Sequence, residues 1–249
     1  MTLIVALACN NGIVMGSDSA STDPITGTKQ PVIKIQQLKG SPILFGGAGD
    51  VGLIQKLVDA VNGVTFPKNA KFSSVRRLIR HACLPDIRDA ATTHVRHLLP
   101  GYDIPPTAVL LFACIHNKYP YILEIEADGR DTVYDENLGS FHAIGSGKAL
   151  AQAIMRPHLT RERDLALGKI LAYRILEDSI ELAATGLAKP IHLYTLTLEG
   201  VFTELEDYEL RRLNSQCELW RELEREVLDK LLVPSESEGV EDIPKPEEM

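Results

Sequence analysis

The start of the chain constrains the fold more than any other stretch of the sequence. The first predicted strand, about 2–9, contains an uninterrupted apolar run that indicates burial. Positions 10–12 are Asn-Asn-Gly, residue types that readily adopt the positive φ angles of a tight hairpin turn. A second strand is expected over about 12–19. The sequence therefore predicts a hairpin that brings Asp18 back towards Thr2.

Thr2 has the chemistry of an N-terminal nucleophile once Met1 is removed. Threonine is small, so ordinary methionine processing is expected to remove Met1 and leave Thr2 first in the chain. A threonine hydroxyl is a weak nucleophile at neutral pH, but a free α-amine, whose ordinary pKa is about 7.7–8.0, can take its proton. While Met1 is attached, that nitrogen belongs to an amide and cannot act as the base.

Asp18 and Lys34 are charged residues that follow Thr2 at equal steps along the sequence. Lys34 stands between Ile33 and Ile35, and because side chains alternate along a strand, it points to the face opposite theirs. If that face meets Thr2, the ammonium favours the ionised hydroxyl, and Asp18 holds the lysine in place. The alternative is a surface lysine on an edge strand and an aspartate in a turn.

Several short segments carry a family resemblance. They are Thr2-Leu3-Ile4-Val5, Gly12-Ile13-Val14-Met15 with Ser17-Asp18, Lys34, and Ala143-Ile144-Gly145-Ser146-Gly147 followed by Ala151-Gln152-Ala153. In order and spacing they resemble the proteasome-type β-subunits, the threonine branch of the N-terminal nucleophile hydrolases, across about residues 2–206. Within that family the chain most resembles the bacterial proteasome homologues, in particular the betaproteobacterial type.

The resemblance implies roles for four catalytic residues. Thr2 would be the nucleophile, Lys34 and Asp18 would tune it, and the hydroxyl of Ser146 would lie against the free amine and relay its proton. For Ser146 a second interpretation stays open, because a serine before a helix is also a common N-cap. Both roles are compatible.

The resemblance also implies how a substrate is held. The backbone beside Ser21 and Thr22 would pair with an extended peptide, as in β-augmentation. An N–H of Gly46 or Gly47 would stabilise the oxyanion, and the resemblance favours Gly46, because its distance from Lys34 in the sequence matches that of the homologous bacterial peptidase ring. The alternative is a glycine turn needed only for close packing. The specificity pocket would be formed by small to medium residues, namely Ser21, Val32, Leu44 and Ala48.

The remaining pattern predicts an α+β fold. We expect helices over about 50–62, 73–84 (broken or kinked at Pro85 and resuming to 97), 148–156 and 161–185 (with Gly186 as C-cap), a loop over 20–31, and strands over about 107–114, 121–126, 131–134, 191–198 and 201–206. Strand pairs separated by helix pairs give a four-layer αββα sandwich, the N-terminal nucleophile hydrolase fold.

A C-terminal helix is added to this sandwich. Residues 1–206 are predicted to form the β-subunit-like domain, 207–233 an amphipathic helix, and 234–249 an acidic disordered tail. The helix has one apolar seam, which could pack on its own domain or on a neighbouring subunit. We favour the neighbour, because the sandwich is complete without the helix.

One family element is missing. Core proteasome β-subunits carry an Asp-x-x-Ser element just before the closing strands, whereas residues 181–188 here contain no aspartate. Glu181 or Thr185 are the candidate substitutes, although neither aligns clearly. The gap leaves a non-catalytic ring or scaffold subunit as an alternative.

The composition excludes some classes of binding partner and of metal site. A net charge of −8 with dispersed basic residues argues against nucleic acid or an anionic membrane surface. The four cysteines lie far apart and are expected to be small buried hydrophobes rather than zinc ligands or disulfides. His94 and His97 have a spacing that could bind a metal, but a solvated helix face is the favoured interpretation. No metal or cofactor is predicted, and a cytoplasmic location is expected.

Three functional hypotheses follow. The first is a threonine endopeptidase in a self-compartmentalising homo-oligomeric ring, acting on peptides or unfolded proteins that an ATP-dependent unfoldase could supply. The second is a non-peptide amidase of the same nucleophile class. The third is the inactive ring subunit.

Overall fold

The computed structural model describes residues 2–22, 29–67, 70–96, 106–135, 139–159, 162–183 and 186–232, with the backbone alone at 22, 29, 94–96 and 232. The strands are β1 (Leu3–Cys9), β2 (Gly12–Ser17), β3 (Ala20–Thr22), β4 (Lys29–Pro31), β5 (Ile35–Gln37), β6 (Ile43–Gly49), β7 (Ala108–His116), β8 (Tyr119–Ile125), β9 (Asp131–Tyr134), β10 (Phe141–Gly145), β11 (His192–Thr197) and β12 (Phe202–Glu204). The helices are α1 (Val51–Asn62), α2 (Phe72–Arg96), α3 (Lys148–Met155), α4 (Leu165–Leu182) and α5 (Asp207–Leu232), and a 3₁₀ turn (Arg156–His158) follows α3.

Two five-stranded antiparallel sheets form the centre of the molecule. The first has the strand order β10-β1-β2-β11-β12, and the second has the order β5-β6-β7-β8-β9. Strands β3 and β4 pair with each other in a short third sheet. The predicted hairpin of β1 and β2 is present, with Cys9 opposite Gly12.

The side-chain alternation of β1 shows how the layers are built. Leu3, Val5 and Leu7 belong to the core under α4, which packs on β1 and β2. Ile4 and Ala6 point the other way, into the core between the two sheets. A third core lies between the second sheet and helices α1 and α2. The predicted four-layer αββα sandwich is therefore confirmed, and β1 is buried throughout because both of its faces are covered.

The stretch after Asp18 differs from the prediction. Residues 20–31 were expected to form a loop, but β3 and β4 occupy both of its ends, and 23–28 lie outside the described residues. Lys34 was expected within a strand, and it instead comes one residue before β5. These strands have three residues each, too short for a period-2 pattern to show clearly.

Helix α2 continues through Pro85, where a break or a kink was expected, so the chain is not broken there. A proline in a helix interior loses one backbone hydrogen bond and crowds the preceding turn. Here apolar residues on both sides of the proline, Ile79, Cys83 and Ile87, are buried in one core. Tertiary packing therefore outweighs the local preference.

Helix α4 is shorter than the predicted 161–185. It begins after Asp164, whose Oδ1 accepts a hydrogen bond from Leu167 N at 2.9 Å. It ends at Ala183, whose extended backbone stops the helix. Gly186 has a φ of +93° but lies beyond this end, so its prediction as the C-cap was wrong.

The first half of α5 packs on its own domain. Leu213 and Cys217 are buried in the core under α4, and Arg174 of α4 lies 4.3 Å from the Trp220 ring. The expectation of a seam reserved for a neighbour was therefore wrong for this half. Apolar residues of the second half are exposed, among them Leu231. The predicted domain boundary at residue 206 stays a proposal. The predicted acidic tail, 234–249, lies outside the described residues.

The four cysteines are buried and free, as predicted; they are Cys9, Cys83, Cys114 and Cys217. Burial raises the pKa of each thiol to about 12, so none forms a thiolate readily near neutral pH. Among the helices that the structure describes, none is long and apolar enough to span a bilayer.

Candidate active site

Thr2 lies at the end of β1, where three strands of the first sheet meet. Leu3 is opposite Gly145 of β10, and Ile4 is opposite Ser17 of β2, so the residues after both partner strands approach Thr2. Gly145 has a φ of +92°, and a Cβ there would lie 2.1 Å from the Thr2 carbonyl oxygen. Only glycine fits this position without strain.

The hydroxyl of Ser146 faces Thr2. The Thr2 nitrogen donates to Ser146 Oγ at 3.3 Å, and Ser146 Oγ in turn donates to the Thr2 carbonyl at 3.4 Å. Gly147, not Ser146, is the N-cap of α3, and no side chain caps that helix. The N-cap interpretation of Ser146 was therefore wrong, and the contact with Thr2 is the one that the structure contains.

Asp18 joins the backbone beside Thr2 to Lys34. Its Oδ1 accepts from Lys34 Nζ at 2.6 Å and from Leu3 N at 2.8 Å, while its Oδ2 accepts from Ala20 N at 3.0 Å. The Asp18 side chain is fully buried, and that of Lys34 is 6% exposed. Burial lowers the pKa of the Lys34 ammonium, although the charge of Asp18 opposes this shift. The pair is thus a buried, well-satisfied charge pair rather than a surface contact.

A first cavity, of about 350 Å³, opens on one side of Thr2. Its lining includes Thr2, Ser21, Val32, Lys34, Gly46 and Gly47. A Cβ on Gly46 would lie 2.6 Å from the Lys34 carbonyl, so strands β5 and β6 approach closely here. The oxyanion role of Gly46 stays a prediction, since it rests on the position of one N–H.

Two of the predicted pocket residues do not line this cavity. Leu44 is fully buried in the core between the sheets, and Ala48 lines a different cavity, described next. Alternation along β6 explains both, because the side chains of Leu44 and Ala48 belong to the core between the sheets, on the face opposite Phe45. Ser21 is opposite Gln30, and Thr22 is opposite Lys29; the Thr22 side chain lies outside the described residues.

A second cavity, of about 430 Å³, also borders Thr2 and was not predicted. It is lined by residues of β6, β7, β8, β10 and α3, and Thr2 and Gly49 belong to both cavities. Ser146 lines only the second. Two charged side chains, Glu124 and Lys148, belong to its described lining. The single sequence signal for it was the position of Lys148, directly after the Gly-Ser-Gly segment.

Glu124 is the centre of a buried polar cluster beside this cavity. Its carboxylate accepts from Tyr134 OH at 3.0 Å, lies 2.9 Å from His142 Nε2 and pairs with Lys148 Nζ at 3.4 Å. The His142 and Tyr134 rings stack, with centroids 3.8 Å apart. Burial favours a higher pKa for the Glu124 carboxyl, but His142 and Lys148 outweigh burial and lower it to about 2. Glu124 is therefore ionised near neutral pH.

Glu124→Gln is expected to flatten the acid dependence of stability. The Glu124 pKa falls from an ordinary 4.5 to about 2 on folding, so its contribution is complete above pH 4.5 and is lost as the pH falls towards 2. Over that window the free energy of unfolding should fall by on the order of 2–3 kcal/mol more in the wild type than in the variant. Denaturant titrations at a series of pH values measure the difference, and parallel curves would contradict the assignment.

The segment that lacks the family aspartate still contacts the site. Ala188 N donates to Asp18 Oδ2 at 3.4 Å, and Ser19 N donates to Ala188 O at 3.1 Å. Glu181 is exposed at the end of α4, and Thr185 lies outside the described residues. The side chains of the possible metal-binding pair, His94 and His97, also lie outside the described residues. In the described part of this segment, a backbone N–H is what supports Asp18.

Two sequence comparisons place the chain among known proteins. Residues 2–196 match the family model described as proteasome subunit. The proteasome subunit beta of Methanococcus aeolicus is 24% identical over 199 residues, which cover 72% of this chain and 77% of the relative.

Solved structures also share the fold. Anbu from Yersinia bercovieri, described as an ancestral beta-subunit, has a TM-score of 0.72 at 13% identity and covers 95% of this chain and 100% of its own. The Gly-1 mutant of Anbu from Hyphomicrobium sp. strain MC1 has a TM-score of 0.69 at 18% identity, with coverage of 93% and 99%. Because the family model spans well over half of the sequence, this chain belongs to the proteasome subunit family.

Proposed function

We propose that this chain is a threonine endopeptidase subunit whose nucleophile is Thr2 after removal of Met1. The observation that carries the proposal is the position of the Thr2 nitrogen, 3.3 Å from Ser146 Oγ. The next backbone nitrogen, Leu3 N, is bound by Asp18, which also holds Lys34. A hydroxyl, its intramolecular base, a relay hydroxyl and a buried ammonium thus share one small region.

The mechanism uses the free amine twice. The amine takes the proton of the Thr2 hydroxyl as its oxygen attacks the peptide carbonyl, and the Lys34 ammonium stabilises the negative charge that develops on that oxygen. The N–H of Gly46 is proposed to bind the oxyanion. The protonated amine then passes its proton, with Ser146 as relay, to the leaving nitrogen. Water hydrolyses the resulting ester on Thr2, and no cofactor takes part.

The first cavity is proposed to hold the acyl part of the substrate. Its lining contains Ser21, on the strand whose backbone is proposed to pair with an extended peptide together with Thr22. The exposed apolar side chains of Val32 and Ile33 form part of its wall. A substrate peptide bound in this cavity would place the carbonyl of its scissile bond between Thr2 and Gly46.

The assembly is proposed to be a ring of identical subunits. Proteasome family members form homo-oligomeric or hetero-oligomeric rings, and a chamber would keep an unselective site away from folded proteins. We further propose a cytoplasmic location, an ATP-dependent unfoldase as supplier of substrate, and a place among the bacterial proteasome homologues of betaproteobacterial type.

A non-catalytic ring subunit is the second candidate. It is favoured by residues 181–188, which lack the aspartate of core β-subunits. Intact mass of the purified chain, followed by a panel of fluorogenic peptides, separates the two. Loss of Met1 with hydrolysis of peptides supports the peptidase. A chain without Met1 that hydrolyses no peptide in the panel supports the scaffold.

A further inference from the structure

The second cavity lies where the leaving group of the reaction must be. This step rests on the proposed function: the protonated Thr2 amine has to deliver its proton to the departing nitrogen. The Thr2 nitrogen faces Ser146, and Ser146 lines the second cavity but not the first. The substrate residue that follows the scissile bond is therefore directed into the second cavity.

The two charged side chains of this cavity are not equally available. The Glu124 side chain is 6% exposed and is already engaged by Tyr134, His142 and Lys148. The Lys148 side chain is 38% exposed, and its Nζ lies 3.4 Å from the Glu124 carboxylate. An ammonium has three donors, so Lys148 can bind a further acceptor while Glu124 holds it in place.

We propose that Lys148 gives the peptidase a preference for substrates with a carboxylate side chain, aspartate or glutamate, immediately after the scissile bond. A carboxylate entering the second cavity meets the accessible ammonium before it meets the buried Glu124. A lysine or arginine side chain entering the same space would be repelled by Lys148, and Glu124 has little surface left for it. The apolar walls, among them Val109 and Ile144, lower the local dielectric and strengthen this selection.

The test uses internally quenched peptides that differ only in the residue after the scissile bond, which is Glu, Ala or Lys. Cleavage sites are identified by mass spectrometry, and kcat/KM is compared among the wild type, Lys148→Arg, Lys148→Met and Lys148→Glu. We expect the wild type to prefer Glu over Ala by about fivefold, within the range of single partly exposed ion pairs. Lys148→Arg should keep the preference, Lys148→Met should remove it, and Lys148→Glu should favour Lys over Glu.

The readout is the ratio between peptides, so a variant with lower overall activity still reports on the inference. Lys39→Met, an exposed lysine in the turn before β6, is the matched control and should keep the wild-type ratio. A wild type without charge preference, or a preference that survives in Lys148→Met, would overturn the inference.

A peptidyl aminocoumarin substrate separates a failure of this inference from a failure of the proposed function, because its leaving group is a dye without a charged side chain. If the wild type lacking Met1 hydrolyses it and shows no charge preference among peptides, the inference fails and the peptidase stands. If neither the dye substrate nor any peptide is hydrolysed, the proposed function fails and the inference fails with it.

Discussion

Thr2→Ala is expected to reduce peptide hydrolysis by on the order of 10⁴-fold or more, as removal of a covalent nucleophile does in hydrolases. Of the groups that take part in the proposed mechanism, this change removes only the attacking hydroxyl of Thr2. Alanine is also small, so removal of Met1 should be unaffected, and the amine keeps its place beside Ser146. Initial rates with a fluorogenic peptide, compared at equal concentrations of chain lacking Met1, measure the effect.

Thr2→Ser is the matched control, because it retains the hydroxyl and loses only a methyl group. It should keep activity within about tenfold of the wild type, since a serine hydroxyl can be activated by its own amine in the same way. Hydrolysis that continues undiminished in Thr2→Ala would locate the nucleophile elsewhere and remove the basis of the proposed mechanism.

The N-terminal hairpin was the most predictable part of the fold. The apolar run of β1 contains no charged residue, and asparagine and glycine at 10–12 are typical of a tight turn, although Gly12 alone of the three has a positive φ. Burial on both faces, which the layers impose, follows from the same run. Longer-range consequences, such as the meeting of β1 with β10, could be expected only through the family resemblance, because strand order is not encoded in local pattern.

The parts that could not be predicted depend on tertiary packing. Pro85 sits inside α2 because buried apolar neighbours hold the helix against the sheet, a contact that local rules do not include. The cluster of Glu124, Tyr134 and His142 joins β8, β9 and β10, and no spacing along the sequence brings these side chains together. The charge pair of Asp18 and Lys34 was predicted only as one of two alternatives, and its burial decided between them.

Lys34→Met is expected to remove activity and to destabilise the fold at the same time. The change keeps much of the volume of the side chain but leaves the buried Asp18 carboxylate without its ion-pair partner. Breaking a buried pair on one side typically destabilises a protein by about 3–5 kcal/mol. Three backbone N–H groups, those of Leu3, Ala20 and Ala188, still bind this carboxylate, so we expect a value towards the lower end. Denaturant unfolding and peptide hydrolysis measure the two effects separately.

The double variant Lys34→Met with Asp18→Asn separates structure from catalysis. Removal of the unpaired buried charge should recover part of the lost stability, because the two residues are in direct contact and their substitutions are not additive. The recovery should be incomplete, since the single amide oxygen of the introduced asparagine can replace the acceptor of Ala20 N and Ala188 N but not also that of Leu3 N. Its activity should stay at least about 100-fold below the wild type, since no ammonium remains to stabilise the charge on Thr2 Oγ. Lys39→Met serves as the control for loss of a lysine, with a change within about 0.5 kcal/mol. Activity that returns together with stability would assign Lys34 a structural role alone.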